Sequence, residues 1–369
     1  MVVIEEKKSK VRFQKAATSD FLSTVRERVA DYFEKNKISP YGNRTTYLKT
    51  VFLLCIYVGC YAAIMSDNFA LAGLVFFYGM LGITKGLLGF NLIHDALHGS
   101  YTSNQKINNI IGYFFDLNGT SSLIWKFAHN QAHHTYTNIP GHDCDIDKAV
   151  SLRLNPKDEL LWFHRYQYLY APILYSLIGI NWLFYADYAW LYRERKKRNV
   201  PAKEVILFFL LKGINYLLFL ILPLTMLSAP WWQILLGYLS MHVCGGLMIS
   251  IVFQLAHVVE NVHYFEPDDK GEMELSWAEH EMMTTANFAT GSRFVTEFVG
   301  GLNFQIEHHL FPKICHVHYP QIQQIVKNTA KEFGFPYNEQ PDVWSAVCSH
   351  FRTLKRFGRG DKPPFIHVK

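Results

Sequence analysis

Four long apolar stretches decide what this chain can become. Tyr47 to Met65, Ala70 to Ile93, Val205 to Leu227 and Trp231 to Ala256 each approach the ~20 residues a helix needs to cross a hydrocarbon core. Lipid offers the backbone no water to bond with, so such segments must be helical. The expected fold class is therefore all-α integral membrane, with four transmembrane helices in two hairpins and a cytoplasmic helical cap. The hairpin turns, Ser66-Asp67-Asn68 and Ser228-Ala229-Pro230, contain no Lys or Arg. Basic residues gather at the other ends, in the stretch through Lys49 and in Arg193, Arg195, Lys196, Lys197 and Arg198. The positive-inside rule then puts both termini and the segment between the hairpins in the cytoplasm. No short apolar core with a small-residue cleavage site precedes Tyr47, so no signal peptide is expected.

A fifth apolar segment, Tyr168 to Trp190, is dense in Tyr and Trp, as an interfacial or re-entrant piece would be. If it crossed, the basic run ending at Arg198 would lie outside, and the histidines after Ala256 would face away from the earlier ones. It is expected to lie on the membrane. The chain divides into an N-terminal cytoplasmic segment 1–46, a membrane domain 47–318 and a cytoplasmic tail 319–369. Half of the residues are hydrophobic and 15% aromatic, yet mean hydropathy is only +0.02 because the apolar residues are concentrated in blocks. The net charge of +5 is interleaved with membrane segments, which suits lipid headgroups and not nucleic acid. Six scattered cysteines without a CxxC pair argue against disulfides and thiolate-bound zinc. Lys85 and Lys212 fall inside spans, where a charge is costly; the sequence assigns neither a role.

Seventeen histidines is a high count, and most lie in polar segments. HDALH, directly after the second span, places His94 and His98 on one helical face. HNQAHH places His129 and His133 one turn apart, with His134 rotated about 100° round the helix, so that the triplet can serve two neighbouring ions. The third group runs from His257, at the end of the fourth span, to QIEHH with Gln305, His308 and His309. Eight imidazoles at one membrane surface exceed what one ion uses, so two ions are expected. Imidazole suits several transition metals, but a site that an acyl chain reaches from the bilayer calls for an O₂-activating metal, which favours iron.

Asp95 and Glu307, inside the boxes, are expected to orient imidazoles and not to bind metal. His142, Asp143, Asp145 and Asp147 form a further polar cluster, read either as loop solvation or as part of the site. His316 and His318 are expected to be structural or supporting, and His242, His263, His280 and His350 structural. A hydroxylase or oxygenase would keep the metal pair and return oxygen to carbon. A metal-ion transporter would want its ligands within the spans, and a bis-histidine haem protein would leave most of these histidines unused.

From Thr46 to Pro320 the chain resembles the membrane fatty acid desaturases, on the strength of HDALHGS, HNQAHHTYTN followed by GHDCDID, and NFQIEHHLFP followed by ICHVHYP. The resemblance implies two iron ions, O₂ as co-substrate and a cis double bond as product. Carried over residue by residue, the ligands are His94, His98, His129, His133, His134, His257, His308 and His309. Gln305 stands where many members have another histidine, a form that resembles the front-end subgroup and is shared by some sphingolipid desaturases; its expected part is supporting. Front-end subgroup members in eukaryotes usually carry a fused cytochrome b domain marked by HPGG, which the opening 46 residues do not show. The resemblance then implies a separate electron donor, a ferredoxin or cytochrome b-type protein, and a fatty acyl substrate on CoA, a carrier protein or a glycerolipid. The expected location is a bacterial inner membrane, with the endoplasmic reticulum as alternative.

Overall fold

The computed structural model describes residues 11–14, 21–146, 150–197 and 200–361; Asp147 and Arg198 lie outside them. Four helices are long and apolar enough to cross a membrane: Arg44–Met65, Leu71–His98, Ala202–Met226 and Trp231–His257. The second and fourth extend past the expected ends, carrying His98 and His257 on continuous helix. Their axes come together at small residues, as helices do where lipid supplies no hydrophobic drive. A Cβ added to Gly245 of the fourth would lie 2.8 Å from the Gly82 carbonyl of the second.

Proline shapes the third span. Pro223 has no N–H to give to the preceding turn, and a π turn occupies Leu217–Ile221 just before it. The carbonyls that lose their partner are bonded by phenols: Tyr61 Oη donates to Leu218 O at 2.9 Å and Tyr78 Oη to Phe219 O at 3.2 Å. At the hairpin tips, both Asp67 oxygens accept from Ser228 N at 3.0 Å.

The fifth apolar segment is a pair of helices, Trp162–Ser176 and Ile178–Lys196, bent by 57°. Lys212, buried in the third span, anchors the second helix of this pair. Its Nζ donates to Gly119 O at 2.7 Å, to Trp182 O at 3.1 Å and to Asp187 Oδ2 at 2.8 Å. A buried ammonium that is paired and fully bonded escapes most of the usual penalty. Lys85 instead lies 3.4 Å from the centre of the Phe219 ring.

Above the helix ends sits a cap. Phe21, Val25, Val29 and Phe33 from Phe21–Asn36 interleave with Ile322, Val326 and Ala330 from Tyr319–Glu332. The segment from Tyr319, expected as a tail, is thus part of the cap's core. Val343–Arg359 packs Leu354 and Phe357 beside Val258 and Val262, just past the fourth span. Strand structure among the described residues is one short parallel pair, Asn287–Phe288 with Glu339–Gln340.

Candidate metal centre

Each histidine box is positioned by a local departure from ordinary helix. A π turn at Gly89–Ile93 precedes His94, which sits on α-helix His94–His98, closed by Gly99 in the left-handed region at φ 78°. The second box lies on a π-helical stretch, Lys126–His133, in which His134 N bonds His129 O. That corrects the expected α spacing: in π register the next turn above His129 falls at both His133 and His134. The His129 and His134 Nε2 atoms lie 3.2 Å apart, and the His129 and His133 rings stack at 5.1 Å. π turns are rare and concentrate at functional sites.

The third box is brought in by a close backbone approach. Gly300 has φ 59°, and a Cβ there would lie 2.6 Å from Phe90 O, so glycine is required. Asn91 Nδ2 donates to Phe298 O at 3.1 Å across the same contact. The short helix Gln305–Leu310 then sets the His308 ring 4.5 Å from that of His94. Asn138, at φ 59°, joins the second box to the fourth span, donating to His257 O at 3.0 Å.

Two ligand sets result. His94, His98, His129 and His308 direct nitrogens to within 4.8 Å of one another, and so do His133, His257 and His309. His134 lies between them, its ring 4.6 Å from that of His308 and 4.4 Å from that of His309. The eight histidines expected as ligands are therefore together. Buried polar atoms rarely lack partners, yet the Nε2 atoms of His94, His98, His133, His308 and His309 and Nδ1 of His134 are buried without one. Two nitrogens about 2.1 Å from a shared ion and roughly 100° apart are separated by about 3.2 Å, which matches His129 and His134. The donor set fits two imidazole-bound transition-metal ions.

Electrostatics agree. Burial holds His134, His308 and His309 well below the usual imidazole range, and His129 at about 4. These rings are neutral, the form that ligates metal. His133 differs: burial opposes charge there too, but Asp143 and Asp145 outweigh it and hold that ring at about 9, so a bound ion would have to displace a proton from it. His133 Nδ1 pairs with Asp143 at 3.0 and 3.1 Å, and His309 Nδ1 with Glu281 at 2.7 Å. His308 Nδ1 meets the Tyr319 hydroxyl at 3.1 Å. Each such contact engages Nδ1 and leaves Nε2 of the same ring free for a metal. Of the polar cluster after the second box, Asp143 and Asp145 belong to the site.

Asp95 and Glu307, expected to orient imidazoles, and Gln305, expected in a supporting part, have partners outside the two ligand sets. Asp95 pairs with His316 Nδ1 at 2.6 Å and accepts from Cys315 Sγ at 3.0 Å, and His316 Nε2 meets Lys49 at 3.1 Å. Helix rotation turns it away from the ring at position 94. Glu307 accepts from Asn287 Nδ2 and Tyr337 Oη, each at 2.8 Å, and anchors the third box to the cap. Gln305 Nε2 donates to Leu302 O at 2.8 Å. The residues that meet the ligand rings include Glu281, which no quoted motif contains, and Tyr319, which lies in ICHVHYP without a role assigned to it there. His280 bonds Thr137 O at 2.7 Å, and His350 lies between Val258 O and Tyr175 Oη at 2.7 and 2.9 Å, both structural as expected.

Beside the first set lies an apolar cavity lined by Gly89, Phe90, Phe115, Trp125, Trp182 and Phe253, with the His94 ring in its wall. The Trp125 ring stacks on His129 at 4.3 Å, so cavity and ligands share a wall.

Comparison with known proteins agrees with this geometry. The fatty acid desaturase family model matches residues 67–341. The sn-1 linoleoyl-lipid 6-desaturase of Synechocystis sp. is 35% identical over 92% of this chain and 96% of its own length. The protein of the same name from Arthrospira platensis is 34% identical over 94% and 95%. An acyl-lipid (8-3)-desaturase from Physcomitrium patens is 34% identical over 95% of this chain and 74% of its own length. With matching family model, relatives and paired histidine sets, the chain belongs to the fatty acid desaturase family.

Proposed function

We propose that this membrane oxidoreductase is a front-end acyl-lipid desaturase, placing a cis double bond between an existing one and the carboxyl end of a glycerolipid acyl chain. The observation that carries the reading is the adjacency of two histidine sets to one apolar cavity. His94, His98, His129 and His308 would hold one iron ion and His133, His257 and His309 the other, with His134 placed between the two sets. Bound there, the iron pair supplies activation of O₂ for hydrogen removal from two adjacent methylenes. The balance is complete when O₂, two electrons and two protons join the two removed hydrogens as two waters.

The protein's own residues fix the ligands and exclude water. Glu281 and Asp143 hold His309 and His133 in one tautomer, and the aromatic cavity keeps the methylene dry and near the metal-facing nitrogens. Glycerolipid as acyl carrier is supported by the sn-1 linoleoyl-lipid and acyl-lipid names of the relatives. Electrons come from a ferredoxin or cytochrome b-type protein, and the site faces the cytoplasm with the basic helix ends. The test is expression in a host without polyunsaturated lipids, feeding defined mono- and di-unsaturated acids and locating new double bonds by mass spectrometry. A new bond on the carboxyl side of an existing one is expected; a hydroxylated product overturns the reading.

A further inference from the structure

The cavity beside His94 contains a position that packing does not explain. Two glycines of the second span line it, Gly86 and Gly89. At Gly86 a side chain would run into Met248 and Ile249 of the fourth span, so helix packing accounts for that glycine. At Gly89 a Cβ would meet nothing within 4 Å. Its backbone is ordinary right-handed helix, φ −53° and ψ −53°, a conformation in which glycine is a poor choice and alanine a better one. Neither backbone conformation nor a neighbouring atom of this chain requires glycine there.

The location is informative. His94 N bonds Gly89 O, so Gly89 is one π turn below a metal-facing imidazole and on its side of the helix. Around the open space stand Phe90, Phe115, Trp125, Trp182 and Phe253. Phe115 meets Trp125 edge-on at 6.1 Å and Phe90 meets Phe253 at 6.2 Å. Such ring edges and faces suit a polarisable π bond better than a saturated chain. A cis double bond also bends a chain, and a bend needs room on one side of an otherwise close-fitting wall.

We propose that Gly89 is the specificity-determining position of the acyl cavity: it leaves room for the bend at the pre-existing cis double bond, which Trp125 and Trp182 hold against the second span just beyond the carbon that reacts. This rests on the desaturase reading and adds to it where the existing double bond lies. The bond serves as the measuring point for the new one, and Trp182 is held in place by Lys212 bonding its carbonyl.

The test compares wild type with Gly89→Leu, Gly89→Ala, Trp182→Leu and Gly59→Leu in membranes of a host fed saturated, mono-unsaturated and di-unsaturated acids of one chain length. Products are read by mass spectrometry and iron is measured per purified protein. Gly59, exposed on the first span with nothing within 4 Å of its Cβ position, is the lipid-facing control. Gly89→Leu is expected to keep wild-type iron and lose at least tenfold of product from unsaturated chains, while Gly89→Ala loses no more than about threefold. Trp182→Leu should lower the preference for unsaturated over saturated chains at least fivefold, and Gly59→Leu should match wild type. Unchanged product and preference in Gly89→Leu and Trp182→Leu overturn the proposal, as does an equal loss in Gly59→Leu. A wild type that makes no double bond from any acid removes the desaturase reading and this inference with it.

Discussion

His133 and His309, on one side of the centre, each lean on a buried carboxylate, whereas His308, on the other, leans on the Tyr319 phenol and His94 and His98 lie edge-on to Trp125 at 5.5 and 5.4 Å. Carboxylate support raises the basicity of an imidazole and adds negative charge behind it. A phenol or an indole does neither. The apolar cavity opens on the neutral side, at His94. The difference teaches how one site serves two needs: carboxyl groups stand behind two of the three-histidine set, while in the four-histidine set His129 meets Asp145 at 3.6 Å and His94, in the cavity wall, has an indole beside it, so that the ring nearest the hydrocarbon chain keeps clear of a carboxylate, which would be costly there.

The sharpest way to break this comparison is to remove a ligand from each side. His133→Ala leaves two histidines where there were three and leaves Asp143 with the backbone N–H groups of Asn138 and Asp145 alone. Iron content of the purified protein and product in fed cells should both fall more than about 100-fold, beyond the range seen for orienting residues alone. His98→Ala, which leaves three of four, should retain more iron than His133→Ala. Equal retention would show that the two sets are not separate.

The neutral wall is itself held by a charge pair. Lys212 and Asp187 are almost wholly buried, 2.8 Å apart, and anchor the helix that carries Trp182, past the bend. Lys212→Met strands a buried carboxylate and is expected to cost about 3–5 kcal/mol of stability, read as a lower unfolding temperature in detergent. Adding Asp187→Asn should restore part of it, because the pair's removal costs less than its breaking. A single variant as stable as wild type would detach that helix from this clamp.

Glu281→Gln tests the charged side more gently. Burial pushes the Glu281 carboxyl up, so the carboxylate behind His309 forms against a bound cation; the amide still reaches His309 but forms none, and metal affinity or activity should fall about 10- to 100-fold, as for other residues that orient a ligand. Stability should change little, since Thr137 can still donate to the new carbonyl at the place of an oxygen it now meets at 3.0 Å. A variant with full iron and activity would mean that the carboxylate behind His309 is packing alone.

Most of the scaffold was legible because lipid permits so few structures. Apolar length gave the four spans, the short turns without Lys or Arg gave the pairing, and repetition gave the seven box histidines, with His257 added from the end of the fourth span. What was not legible depended on register and on distant partners. HxxxHH reads as an α turn until the π stretch Lys126–His133 rephases it. Asp95 adjoins a ligand in sequence but points to His316, while Glu281, which does hold a ligand, is 28 residues from His309. Sequence adjacency marks a neighbour on the chain, and helix rotation decides whether it is a neighbour in space. Lys212 was likewise opaque, since its partner Asp187 lies on a segment whose bend no periodicity announces.

Tyr319→Phe should have the smallest effect, and for that reason it separates the two sides most finely. The hydroxyl meets His308 Nδ1 at 3.1 Å inside the cap core, and both residues are buried. The contact is neutral on both sides, so its loss is expected to cost about 1 kcal/mol, roughly fivefold in iron affinity. The ring stays to pack against its neighbours in the cap. Competition with a graded chelator measures both variants on one scale, and Glu281→Gln should release iron at a lower chelator concentration than Tyr319→Phe. If the phenol matters as much as the carboxylate, hydrogen bonding and not charge is what supports these ligands, and the asymmetry between the two sets is one of residue type alone.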